Sequence, residues 1–166
     1  MQKKRQKQSK QLNIGWFSFT CCEDSTIMFT ELLNDHYQDW FRLLKFKHAK
    51  ILQSKNTLKG IDVAFVEGAI TSNAMKKELL EIRKNCKRLV AIGSCAVQGM
   101  PSAQRNYFDE KTKQEIQFLI DRFKQCKKVS NLKELVKVDY EVPGCPMDEK
   151  IFLDIVNKCL KEFNIA

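Results

Sequence analysis

Three mostly apolar stretches each run out into a cysteine motif, and no other feature limits the fold of this chain as strongly. Residues 14–19 (Ile-Gly-Trp-Phe-Ser-Phe) lead into Thr20-Cys21-Cys22, residues 88–92 into Gly93-Ser94-Cys95-Ala96, and residues 136–142 into Pro143-Gly144-Cys145-Pro146. A further apolar run, 61–66, ends in Glu67-Gly68-Ala69. Between the runs, apolar residues recur at helical spacing. Short apolar runs alternating with amphipathic helices are the pattern of a parallel sheet with helices on both faces. The carboxyl ends of such strands share one edge, where open α/β folds bind ligands. Sulfurs far apart in sequence would meet on that rim. Thiolates converging in this way serve zinc or iron–sulfur.

The spacing predicts specific elements. After the strand at 14–19, helical periodicity runs from 23 to 47, with a break at Asn34-Asp35 and with Asp24 and Ser25 at the N-cap. A strand at 61–66 precedes a helix capped by Thr71 or Ser72 and running to Asn85, with Met75, Leu79, Leu80 and Ile82 facing inward. Strand 88–92 is followed by an irregular loop, 97–104, punctuated by Gly99 and Pro101. A helix over 109–127 carries Ile116, Leu119, Ile120 and Phe123 on one face. The alternation of 136–142 suits a peripheral strand, and Pro146 opens a closing helix over 147–163. The expected fold class is α/β, a flavodoxin-like doubly wound parallel sheet, built as one domain over residues 12–166.

A chain of 166 residues can build such a core without disulfide staples. No apolar stretch approaches the roughly 20 residues that span a bilayer. The N-terminus lacks the apolar core of a secretory signal. Seven cysteines without an export signal point to a reducing, cytoplasmic setting and to metal ligation. Of the net charge of +9, five positive charges (Lys3, Lys4, Arg5, Lys7 and Lys10) lie in the first eleven residues. Those residues read as a disordered basic tail. The remaining lysines are scattered among acidic and loop residues, with no basic stripe of the kind nucleic acid requires.

Cys95 follows Gly93, which allows close backbone approach to a ligand. Cys145 sits between Gly144 and Pro146, so its loop is stiff and narrow. Cys21 and Cys22 are adjacent, and an extended strand would point them to opposite faces. Both can ligate only if the chain coils there. Cys22-Glu23-Asp24-Ser25 is a Cys-x-x-Ser, which leaves Cys21, Ser25 or Asp24 as the fourth ligand, or none. Cys86 and Cys126 belong at the opposite sheet edge, and Cys159 shares a core stripe with Ile155, Val156 and Phe163. His36 and His48 read as surface residues, which weakens a His-containing zinc site. There is no glycine-rich phosphate loop and no Ser-His-Asp arrangement.

In this order, Cys21-Cys22, Val66-Glu67-Gly68-Ala69-Ile70, Gly93-Ser94-Cys95-Ala96 and Pro143-Gly144-Cys145-Pro146 resemble the motifs of a known family. It comprises the small subunit of nickel–iron hydrogenases and the related cluster-bearing subunit of respiratory complex I. The resemblance implies a flavodoxin-like domain holding one proximal 4Fe–4S cluster against a large catalytic subunit, with further electron-transfer subunits as partners. Carried over by position, Cys95 and Cys145 are ligands, and the other two lie at Cys21/Cys22. Gly68, Gly93 and Gly144 line the cluster loops. Glu67 lies beside the cluster near the large subunit, although it also reads as a capping carboxylate for the helix at Thr71/Ser72. Hydrogenase small subunits usually carry Cys-x-x-Cys at the first motif, where this chain has Ser25. The tandem cysteines are closer to complex I, and the short length is closer to cytoplasmic hydrogenase and sulfhydrogenase delta subunits. Contact with a membrane would come only through partners. The implied function is electron transfer beside a hydrogenase-type centre. A complex I-like, quinone-linked role, a zinc-stabilised module and a cluster-less interaction subunit are the alternatives. Met100, Tyr107, Phe108, Met28 and Phe29 are candidates for exposed apolar docking residues.

Overall fold

The computed structural model describes residues 10–166. All but Lys10 and Gln11 of the expected basic tail lies outside the described residues. Seven strands and six α-helices follow: β1 (Leu12–Ser18), α1 (Asp24–Asp35), α2 (Tyr37–Leu43), β2 (Leu44–Ala49), β3 (Ile61–Glu67), β4 (Ile70–Ser72), α3 (Asn73–Asn85), β5 (Cys86–Ile92), α4 (Gly93–Gln98), α5 (Glu110–Arg122), β6 (Gln125–Ser130), β7 (Tyr140–Val142) and α6 (Glu149–Glu162). Short 3-10 turns occupy Ser102–Tyr107 and Leu132–Glu134.

Five strands pair in parallel in the order β2-β1-β3-β5-β7. Numbered among themselves, they run 2-1-3-4-5, the flavodoxin-like order of doubly wound sheets. β3 is buried along its whole length, as the central strand of a sheet covered on both sides must be. On one face α1, α2 and α6 enclose an aromatic core in which Trp16 stacks on Phe29 at 4.2 Å and Phe152 meets Trp16 edge-on. On the other face α3 and α4 cover Phe17, Ala64, Val66, Leu89 and Ala91. A two-stranded antiparallel sheet, β4 with β6, extends from the carboxyl end of β3. It carries α5 and the 3-10 turn at Ser102–Tyr107.

Several expectations need correction. The helical reading of 23–47 covers α1 and α2 but also β2, whose Leu44-Lys-Phe-Lys-His-Ala alternation loses to helical spacing when read locally. His48 therefore lies inside the fold rather than on the surface, stacked on Phe17 at 4.2 Å with Nδ1 3.1 Å from the Trp16 carbonyl. Leu80 faces solvent and Phe29 is buried. Residues 97–104 are partly helical. α5 ends at Arg122, and 125–130 form a strand, which moves Cys126 from the far edge of the main sheet to the small one, with Sγ 3.6 Å from Asn73 Oδ1. Only 140–142 of the expected last strand pair with β5. Pro146 lies in a turn, and Asp148 caps α6 by accepting the Ile151 N–H at 2.9 Å. Ser72 caps α3 as expected.

Candidate metal centre

β1, β5 and β7 end on the same rim because they run parallel, and each is followed at once by its cysteine motif. Cys21, Cys22, Cys95 and Cys145 line one small cavity, together with Glu23, Asp24, Ser25, Glu67, Gly68, Gly93, Ser94 and Gly144. Cys95 is buried, Cys21 is half-buried, and Cys22 and Cys145 are exposed at the mouth. Cys21 and Cys22 both lie on this wall because the chain is not extended there. The chain leaves the extended conformation after Thr20 bridges to Ala69, and Glu23 takes a left-handed backbone at φ 65°. Both residues therefore line the same cavity, with Cys21 Sγ 3.6 Å from the Phe19 carbonyl oxygen.

The backbone brings the loops together without side chains between them. Ser94 N–H donates to the Gly144 carbonyl at 2.7 Å, joining the Cys95 turn to the Cys145 loop. Gly68 (φ 90°) packs so closely on the first loop that a Cβ would stand 2.7 Å from the Phe19 carbonyl carbon. A Cβ on Gly144 (φ 110°) would meet the Pro146 carbonyl oxygen at 2.5 Å. Both positions require glycine.

Glu67 closes the wall beside Cys21 and is 2 % exposed. Its Oε1 accepts from Thr26 Oγ1 at 2.5 Å and Ser18 Oγ at 2.9 Å, and Thr26 Oγ1 in turn accepts from Trp16 Nε1 at 2.8 Å. Ser72 rather than Glu67 caps α3, so the capping role falls away. Ser18 and Thr26 escaped notice in the sequence. Their only signal was a hydroxyl residue closing an apolar strand and another one helical turn past Cys22.

Burial and the nearby Glu67 carboxylate push the Cys21 thiol up to about 12. Burial also raises Cys95, against a hydrogen bond from Ser102, and the charges of Cys22 and Cys145 add to the rise. Cys22 is raised too: the Asp24 N–H pulls it down, but desolvation, the Asp24 side chain and Cys145 outweigh it. A metal ion that binds thiols must displace their protons.

Asp24 opens α1 at the exposed mouth. Ser25, the other candidate replacement ligand, is buried with its Oγ accepting the Met147 N–H at 3.2 Å. Neither serves as the N-cap; Glu23 holds that position with no side-chain bond. Cys159 lies in the core of α6 and Cys86 at the start of β5, both away from the cavity. Among the described residues, no three His, Cys, Asp or Glu side chains converge as one metal ion would require. A single zinc draws its thiolates to about 2.3 Å from one point. A four-iron cubane has each ligand on a different iron, so its thiolates stand farther apart. Four cysteines on three loops supply thiol donors of the kind that zinc and iron–sulfur centres both take.

A family model described as NADH ubiquinone oxidoreductase, 20 Kd subunit, matches residues 21–159, a span that includes all four cavity cysteines. The chain belongs to this family. Within the 20 kDa-subunit family it is 34% identical over 115 residues to the delta subunit of the NAD-reducing hydrogenase HoxS of Cupriavidus necator, covering 57% of this chain and 55% of that one. It is 26% identical over 150 residues to the sulfhydrogenase 2 delta subunit of Pyrococcus furiosus, covering 88% and 61%. The chain thus spans roughly half to three-fifths of the length of these relatives. A chain in a crystal structure of an NAD+-reducing NiFe hydrogenase in the H2-reduced state superposes with a TM-score of 0.75. That match covers 92% of this 20 kDa-family chain and 93% of the other at 22% identity, a likeness of fold. Among the described residues, no helix is long and apolar enough to cross a membrane.

Proposed function

We propose that this chain is an electron-transfer subunit that holds one 4Fe–4S cluster on Cys21, Cys22, Cys95 and Cys145, beside the large catalytic subunit of a hydrogenase-type oxidoreductase. The observation that carries the reading is that four thiols from three distant loops line a single cavity on the sheet rim. When bound, the cluster supplies one-electron chemistry, its potential set by charge, burial and hydrogen bonds to its sulfurs. The chain's part is to hold it with four sulfurs, to keep Glu67 and the Ser18–Thr26 hydroxyls behind it, and to leave Cys22 and Cys145 near the surface. Tyr107, 78 % exposed, and the neighbouring Phe108 offer apolar surface to a partner.

The decisive experiment is anaerobic reconstitution followed by iron and labile-sulfide analysis and low-temperature electron paramagnetic resonance. We expect four irons per chain in the parent protein and in Cys159→Ala, and loss of the four-iron cluster in Cys95→Ala and Cys145→Ala. A full cluster in Cys145→Ala, or stoichiometric zinc in place of iron, overturns the assignment. The tandem cysteines favour a second reading, a complex I-like subunit of a quinone-linked enzyme. A neighbouring large-subunit sequence with two Cys-x-x-Cys pairs indicates the hydrogenase type, and one without them indicates the complex I type.

A further inference from the structure

Ser25 stands three residues after Cys22, at the spacing where a Cys-x-x-Cys pair has its second thiol. It does not cap α1, whose N-cap is Glu23. Ser25 is 7 % exposed, and its Oγ accepts the Met147 N–H at 3.2 Å. The same oxygen lies 3.0 Å from where a Cβ on Gly93 would be. It is therefore held where three segments meet: the start of α1, the turn that opens α4, and the loop that follows Cys145.

A serine hydroxyl has one proton to donate and two lone pairs to accept with. Met147 occupies one lone pair. Among the described hydrogen bonds of Ser25, none uses the hydroxyl as a donor. A buried donor without an acceptor is unfavourable, and Ser25 lines the cavity walled by the four cysteines. The acceptors lining that space are the four sulfurs, the Glu23, Asp24 and Glu67 carboxylates and nearby main-chain carbonyls, and of these the sulfurs alone would belong to a bound cluster.

We propose that Ser25 is a positioning residue that donates its hydroxyl hydrogen bond to a sulfur of the bound cluster and is not one of its ligands. The proposal rests on the four-iron reading of the cavity. The Met147 bond occupies one lone pair of the oxygen, and the absence of a side chain at Gly93 leaves room beside it. A hydrogen bond to a cluster sulfur is stronger in the reduced, more negative state. It therefore stabilises that state and raises the potential.

The test uses the full chain reconstituted anaerobically with ferrous iron and sulfide, with Ser25→Ala and Ser25→Thr beside the parent. The readouts are iron content and a redox titration followed by electron paramagnetic resonance. Ser25→Ala is expected to keep four irons per chain with its midpoint displaced to more negative potential. Ser25→Thr, which restores the hydroxyl, is expected to return towards the parent value. A three-iron signal in Ser25→Ala would make the serine a ligand and overturn the proposal. An unchanged midpoint in Ser25→Ala would overturn it as well, since no hydrogen bond to sulfur would have been lost. A parent chain that takes up no iron would overturn the reading of the whole cavity, a result distinct from either of these.

Discussion

Glu67 shows how much a single side chain commits this rim. Its carboxylate receives two hydroxyl hydrogen bonds from different elements, β1 and α1, while almost wholly withdrawn from water. Replacing it with alanine leaves the Ser18 and Thr26 hydroxyls without their shared acceptor. Unfolding in urea is expected to show a loss of about 1–3 kcal/mol, the usual penalty for orphaned buried polar groups. Gly68 makes the same point through the backbone. A methyl group there would collide with Phe19 and Thr20 main-chain atoms at a positive φ, so Gly68→Ala is expected to destabilise by more than about 1 kcal/mol. Far-ultraviolet circular dichroism melts of parent and variant check this. The four cavity cysteines could be read from sequence because each follows an apolar run. Ser25's inward orientation could not, because its partner Met147 lies 122 residues away.

At the scale of elements, α5 departs most from its sequence pattern. The stripe Ile116, Leu119, Ile120 and Phe123 reads as a core face, yet only Ile120 is buried. Leu119 and Phe123 are exposed, and so is Phe118. The helix stands on the small β4–β6 sheet rather than on the main one, and that sheet is too narrow to cover the stripe. Phe118→Ser and Phe123→Ser are therefore expected to change the stability of the isolated chain by less than about 0.5 kcal/mol. Ile120→Ala should lower it by about 2 kcal/mol or more. Paired denaturation curves decide between this arrangement and a stripe packed in the core. The small sheet also explains why the helical reading runs on to 127, into β6. Gln-Cys-Lys-Lys-Val-Ser has neither strong alternation nor β-branched density, and it is a strand only because β4 is there to pair with. A Val129 contact on the cluster of Ala69, Cys95 and Ala103 then ties this excursion to the back of the cysteine cavity.

Across the whole molecule, two buried titratable groups, His48 and Asp62, contribute to the pH dependence of stability. Burial holds the His48 imidazole below its ordinary value against the Trp16 carbonyl, and Lys50 lowers it further. The unfolded chain takes up this proton near pH 6.5, the folded chain only at lower pH, so stability declines as pH falls below about 6.5. Burial would raise the Asp62 carboxyl, but Lys87 at 2.7 Å and the Asn13 N–H groups at 2.9 and 3.0 Å hold it low. Its stabilisation is present above the ordinary carboxylate range and is lost on further acidification. Urea midpoints are therefore expected to fall from pH 7.5 to pH 5, and His48→Asn, which retains an N–H donor for Trp16, should narrow that difference. The alternation of apolar runs and amphipathic segments by itself determined the parallel sheet, and the position of each cysteine motif after a strand determined which sulfurs reach the rim. Both are local properties, set by the period of the chain and by where a strand stops. Only the tertiary structure decided that β2 is a strand, that His48 is enclosed and that Ser25 turns towards Met147. It also decided that Cys21 and Cys22 share one space, because each of these depends on a partner brought in from a distant part of the chain.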